Sequence, residues 1–230
     1  MTEIKESQIS DTQFVYENER LFLEVSQLGN KHYEQVWELQ KDLVKKRQLG
    51  LIPDSLIMVE HEPVYTVGNN GNDNHLLQSR SPDVPIFQIE RGGDVTYHGP
   101  GQIVGYPILD LHNHKMSISW YMRSLEEVII NSLSQFGIVA ERRNGLTGVW
   151  VGEMKIAALG VRISRWVTMH GFALNVNTDL SYYDGIIPCG IFEYGVTSMD
   201  GMLGKRFELS EVEDVLIKEF MNIFNFNELN

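Results

Sequence analysis

One cysteine, Cys189, serves the whole chain of 230 residues, so an internal disulfide is excluded. No apolar run approaches the roughly 18 residues that a bilayer-spanning helix needs. The first residues, MTEIKESQISD, offer neither a basic cluster nor an apolar stretch, and no secretion signal is expected. Positive charge is short as well: 19 Lys and Arg face 31 Asp and Glu, a formal charge of −12. Phosphate neutralisation needs clustered cations, so nucleic acid is excluded as a partner. These absences point to the reducing cytoplasm, with no membrane association.

What is present is enough for one large core. Hydrophobic residues make up 43% and charged residues 22%, the balance of an ordinary globular domain. Residues 1–20 are polar and read as a partly disordered tail, leaving 21–230 as a single domain. Residues 30–50 predict a first helix, with Tyr33, Val36, Trp37, Leu39 and Leu43 near helical spacing and Gly50 closing it. A second helix is expected over 118–136, and a third from Ser210, where Glu213 completes a capping box. Strands are expected at 56–60, 64–67, 86–90, 103–111, 138–141, 148–151, 155–163 and 167–176. Mixed helices and consecutive strands predict an α/β or α+β fold.

Chemistry concentrates in a few places. Residues 91–102, RGGDVTYHGPGQ, hold four glycines and a proline between strands, with Arg91, Asp94, Tyr97 and His98 beside them. Glycine permits close approach of backbone and ligand, and loops held by strands commonly carry function. A second Gly/Asn-rich loop, GNNGND, occupies 68–73. Cys189 lies in IIPCGI, where Pro188 and Gly190 predict a bend that displays the thiol to a substrate carbonyl. A lone cysteine is more often a small buried hydrophobe, so the nucleophile reading depends on a neighbouring cation that lowers the thiol pKa. His98, His170 and Lys155 are the candidates. Lys155 opens KIAALGVRI, whose small residues suit an acyl chain lying against the backbone. His112-Asn-His114 lacks further ligands at useful spacing, and no metal is expected. Residues 141–165 carry five basic and two acidic residues, a local +3 in which Arg142, Arg143, Arg162 and Arg165 are candidates for docking an acidic partner.

In order along the chain, YTVGNNGNDNHLL, RGGDVTYHGPGQIVGYPILDL, KIAALGVRI, HGFALNV and IPCGI followed by VTSM resemble the lipoyl(octanoyl) transferases. The resemblance covers about residues 56–199. It implies the α/β domain shared with biotin and lipoate protein ligases, a mixed sheet core flanked by helices. It implies transfer of an octanoyl group from octanoyl-acyl carrier protein to a lysine of lipoyl domains. Those acceptors belong to 2-oxoacid dehydrogenase complexes and the glycine-cleavage H protein, and no cofactor is implied. Cys189 matches the nucleophile and Lys155 the lysine that tunes it. The acyl pocket would fall on Arg91, Gly92, Gly93, Asp94, Val95, Thr96, Tyr97 and His98, on Ala158, Leu159 and Gly160, and on His170, Gly171, Phe172 and Ala173. The alternative is an ATP-dependent lipoate or biotin protein ligase, whose adenylate chemistry does not need Cys189. A cysteine hydrolase and a non-catalytic acyl-binding protein are further alternatives.

Overall fold

In the computed structural model, which describes residues 12–17, 22–187 and 195–226, the apolar runs at the centre of the sequence become the middle of a seven-stranded sheet. Its order is β1 (Thr12–Glu17), β2 (Phe22–Lys31), β3 (Asp54–His61), β7 (Gln102–Ile108), β10 (Val167–Asn175), β9 (Met154–Ser164) and β8 (Val149–Val151). β2 and β3 run parallel, joined through α1 (Tyr33–Gln48), and the other neighbours are antiparallel. A parallel pair needs such a crossover because a tight turn cannot reverse the chain twice.

The central strands read as unbroken apolar runs because both faces of the sheet are covered. Leu56, Met58, Ile103, Phe172 and Leu174 face α2 (Ile118–Gln135) and α4 (Leu209–Phe224) in the main core. Their alternating neighbours Ile57, Val59, Val104, Tyr106 and Ala173 pack on the opposite side, with Val36 of α1. Each such apolar side chain, fully buried, contributes about 1.5–3 kcal/mol. A three-stranded sheet, β5 (Ile86–Gln88), β4 (Val64–Val67) and β6 (Val95–His98), is attached to this frame. Tyr183 and Ile186 cover it.

The mixed sheet flanked by helices is the fold the sequence predicts, with local corrections. Residues 138–141 form no strand: Val139 is 89% exposed, and only Glu141 pairs, as an isolated bridge to Trp150. α4 begins at Leu209 without a side-chain cap, and Glu213 instead accepts a hydrogen bond from Gln27 Nε2 over 3.2 Å. Tertiary contact wins over the local capping box. Strands β1, β2 and β6 and the short α3 (Met199–Leu203) were not expected. Residues 1–11 and 18–20 of the predicted tail lie outside the described residues.

The β10–β7 ladder is irregular beside α1. Extending its register places His170 opposite Pro107, which has no N–H to give. His170 takes φ +59°, a left-handed conformation uncommon outside glycine. Its N–H turns from the ladder to Gln40 Oε1 of α1, 2.9 Å away.

Candidate functional site

Where β9, β10 and β7 run side by side, their small residues leave a part-open pocket of about 40 Å³. Its floor is Ala158–Gly160 of β9, His170–Ala173 of β10, and Val104 and Tyr106 of β7. Arg91, Gly93, Asp94, Val95, Thr96 and His98 close over it, with Tyr33 from α1. The lining is mostly apolar. A Cβ on Gly160 would stand 2.8 Å from the Gly92 carbonyl oxygen, and one on Gly171 only 2.2 Å from that of Gly105. Any side chain at either place would push backbone apart, so close packing of strand on strand and loop on strand demands glycine.

Of the expected pocket residues, Gly92 and Tyr97 do not line this cavity. Gly92 donates its N–H to the Val161 carbonyl over 2.9 Å and so pins the loop to β9. Tyr97 points into the small sheet's core, stacked on Tyr182 at 4.6 Å between ring centroids. Arg91 is chiefly an anchor: Nη2 donates to the Thr66 carbonyl (2.8 Å) and Oγ1 (3.0 Å), and Nη1 to the Gly92 carbonyl (3.0 Å). Asp94 ties two loops together. Its Oδ1 accepts from the N–H groups of Val95 (2.7 Å) and Asn72 (3.3 Å), while Oδ2 holds His75 Nδ1. The GNNGND loop is thereby fastened to the glycine-rich one.

His98 and His170 are both neutral at pH 7. Burial pushes His98 down to about 3, helped by the neighbouring His61. Burial also lowers His170 to about 3, with Arg91 and Arg162 adding repulsion. His98 Nδ1 faces Gln102 Oε1 at 2.7 Å, and a carbonyl oxygen only accepts, so the ring proton is on Nδ1. Gln102 Nε2 in turn donates to Asn175 Oδ1 over 2.9 Å, and Asn175 Nδ2 donates to the Thr197 carbonyl over 3.1 Å. Neither histidine therefore supplies a cation, which leaves Lys155 among the three candidates.

Lys155 sits on β9 three residues before Ala158, buried, with Nζ 4.9 Å from the centre of the Trp150 ring. Its stem fits beside Gly148. Its backbone pairs in parallel with residues 195–197. Lys155 is not part of the cavity lining. Cys189 lies outside the described residues. Ile187, two positions before it, donates its N–H to the His75 carbonyl over 2.9 Å. Tyr33, Val104 and Tyr106 line the cavity without having been singled out; in sequence they are ordinary apolar positions of a helix and a strand.

The basic stretch is not a field of unpaired cations. Arg142 binds Glu126 (3.1 Å) and Glu127, Arg143 binds Glu153 (2.5 Å), and Arg162 binds Glu90 (2.9 Å). Glu126, Glu127 and Glu90, from outside the stretch, offset part of the local excess.

Residues 32–221 match the family model of the lipoyl protein ligase A/B catalytic domain. The chain is 50% identical over 207 residues to the octanoyltransferase of Solibacter usitatus, covering 88% of this chain and 93% of that protein. It is 43% identical over 208 residues to a chloroplastic octanoyltransferase of Arabidopsis thaliana, covering 84% and 74%. Among solved structures, a bipartite lipoate protein ligase from Thermoplasma acidophilum aligns with TM-score 0.68 at 19% identity, over 87% of this chain and 83% of that one. A biotin protein ligase from Aquifex aeolicus aligns with TM-score 0.51 at 13% identity, over 87% and 68%. These structural likenesses speak for the fold alone. With the glycine-walled cavity, the family model over most of its length and relatives at half identity, the chain belongs to the lipoyl protein ligase A/B catalytic-domain family, among its octanoyltransferases.

Proposed function

We propose that this protein transfers an octanoyl group from octanoyl-acyl carrier protein, through a thioester on Cys189, to a lysine of a lipoyl domain. The observation that carries this reading is the apolar cavity between β9, β10 and β7, in a chain 50% identical to an octanoyltransferase. The acceptors would be lipoyl domains of 2-oxoacid dehydrogenase complexes and the glycine-cleavage H protein. A cytoplasmic location suits a single cysteine that must stay reduced. No helix among the described residues is long and apolar enough to cross a membrane.

The chemistry follows from an ionised sulfur. The Cys189 thiolate, favoured by the positive charge of Lys155, attacks the donor carbonyl to give a tetrahedral oxyanion. Collapse expels the carrier's thiolate, which takes a proton from Lys155. One thioester has replaced another, so the step is nearly level and needs no ATP. The neutral acceptor amine then attacks the acyl-enzyme, its surplus proton returns to Lys155, and the amide leaves with Cys189 restored as thiolate. Amide formation drives the sequence forward. Apolar walls exclude water, which would otherwise hydrolyse the acyl-enzyme. His98 and His170, uncharged, let an alkyl chain enter without leaving buried charges unpaired.

Substitution Cys189→Ser tests the route. An adenylate-forming ligase would keep most activity and require ATP; the proposed transferase loses nearly all activity and proceeds without ATP.

A further inference from the structure

Tyr33 borders two cavities. On one side is the acyl cavity; on the other is a second, solvent-open hollow of about 630 Å³, bounded by Val64 of β4, residues 81–87 and Tyr182. Tyr33 is the residue the two linings share. Its ring is held between them. It lies parallel to His98 at 6.1 Å, and His98 belongs to the acyl cavity alone. Phe87, 5.4 Å away, belongs to the second hollow alone. His61 adds an edge contact at 5.2 Å, and Tyr33 as a whole is 4% exposed.

The direction of the acyl cavity gives this partition a role. Lys155 lies on β9, which has the edge strand β8 on one side and β10 on the other. From the Ala158 end the floor crosses β10 to reach β7, and α1 packs over β10 and β7. Tyr33, at the first turn of α1, therefore stands at the side remote from Lys155. An acyl chain with its carbonyl at Lys155 and Cys189 would point its methyl end towards this ring.

We propose that Tyr33 is the end wall that sets acyl-chain length, a specificity-determining residue for the transfer. The inference rests on the octanoyl-transfer reading above. A longer chain must displace the ring from His98, His61 and Phe87. Without the ring, the two hollows join, and additional methylenes pass towards Val64, Val84 and Phe87.

The test compares acyl-carrier-protein thioesters from hexanoyl to tetradecanoyl, with a lipoyl domain as acceptor, for the wild type and for Tyr33→Leu, Tyr33→Ala and Tyr33→Trp. The readout is the ratio of kcat/KM between two donors within one variant, from which the fraction of active enzyme cancels. Leu and Ala should raise the dodecanoyl-to-octanoyl ratio at least tenfold. Trp, which enlarges the wall, should move the preference towards hexanoyl and decides the matter if the smaller variants do not fold. Unchanged ratios, or equal loss with every donor, would overturn the wall. A wild type that transfers no octanoyl group would instead overturn the functional reading itself.

Discussion

Thr197 donates its backbone N–H to the carbonyl of Lys155 over 2.9 Å, and Lys155 donates its own N–H to Gly195 over the same distance. The chain just beyond Cys189 is thus laid along the strand that carries Lys155. Asn175 holds this contact from the other side, through Nδ2 to the Thr197 carbonyl, and is itself held by Gln102. Replacing Asn175 by Leu leaves these buried partners unsatisfied and should cost about 1–3 kcal/mol of unfolding free energy in urea titrations. Transfer should fall further than the loss of folded protein explains, measured at a temperature where the variant remains folded.

Ala158 forms part of the cavity floor, where additional bulk takes space from the acyl chain. Ala158→Leu should weaken reaction with the octanoyl donor and favour shorter donors. Each methylene kept out of apolar surroundings forfeits about 0.8 kcal/mol, roughly a factor of four in kcat/KM. Donor series from butyryl to octanoyl read this directly.

Acid should destabilise the protein through its buried histidines. His98 and His170 titrate at about 3 and His61 at about 4 when folded, against 6.5 as free side chains. Their depressed values mean that the stability they permit is present above about 6.5 and is lost as pH falls towards 4. Glu213 opposes them: burial raises it from 4.5 to about 7, so its contribution is present below 4.5 and lost as pH rises through 7. Three histidines outweigh one glutamate between pH 4.5 and 6.5, and unfolding should take up protons there. Unfolding free energy, measured by urea titration across this range, should therefore decline with falling pH. Glu213→Gln should make the slope steeper.

Asp94 joins the glycine-rich loop to His75, whose carbonyl accepts from Ile187. Asp94→Ala removes the acceptor for Val95 and Asn72 together with the His75 partner. A loss of about 1–3 kcal/mol is expected in thermal or urea unfolding. Slower acyl-enzyme formation should accompany it, seen as a reduced single-turnover rate.

Strands whose two faces are buried were legible as apolar runs, as in LIMVE before His61 and IVGYPI after Gln102. β2 carries the same information more weakly: Leu23 and Val25 alternate with polar neighbours, and a bulge at Gly29 breaks the pattern. Residues 138–141 misled because a β-type composition does not supply a partner strand. The glycine-rich loop announced the roof of the cavity, but no local pattern distinguishes Tyr33, which faces a cavity, from Val36, which packs in a core. Likewise, Arg91 reads as a ligand contact until its bonds to Thr66 are seen. Cavities belong to tertiary packing, and periodicity records only which side of an element is apolar.

The central claim is a covalent acyl-enzyme on Cys189. Intact-protein mass spectrometry after mixing with octanoyl-acyl carrier protein, without ATP or acceptor, tests it most directly. One octanoyl group should appear on the protein, map to Cys189 by peptide analysis, and disappear when a lipoyl domain is added as that domain gains it. An unmodified protein that nevertheless octanoylates the lipoyl domain, or an adduct formed equally well by Cys189→Ser, would contradict the account.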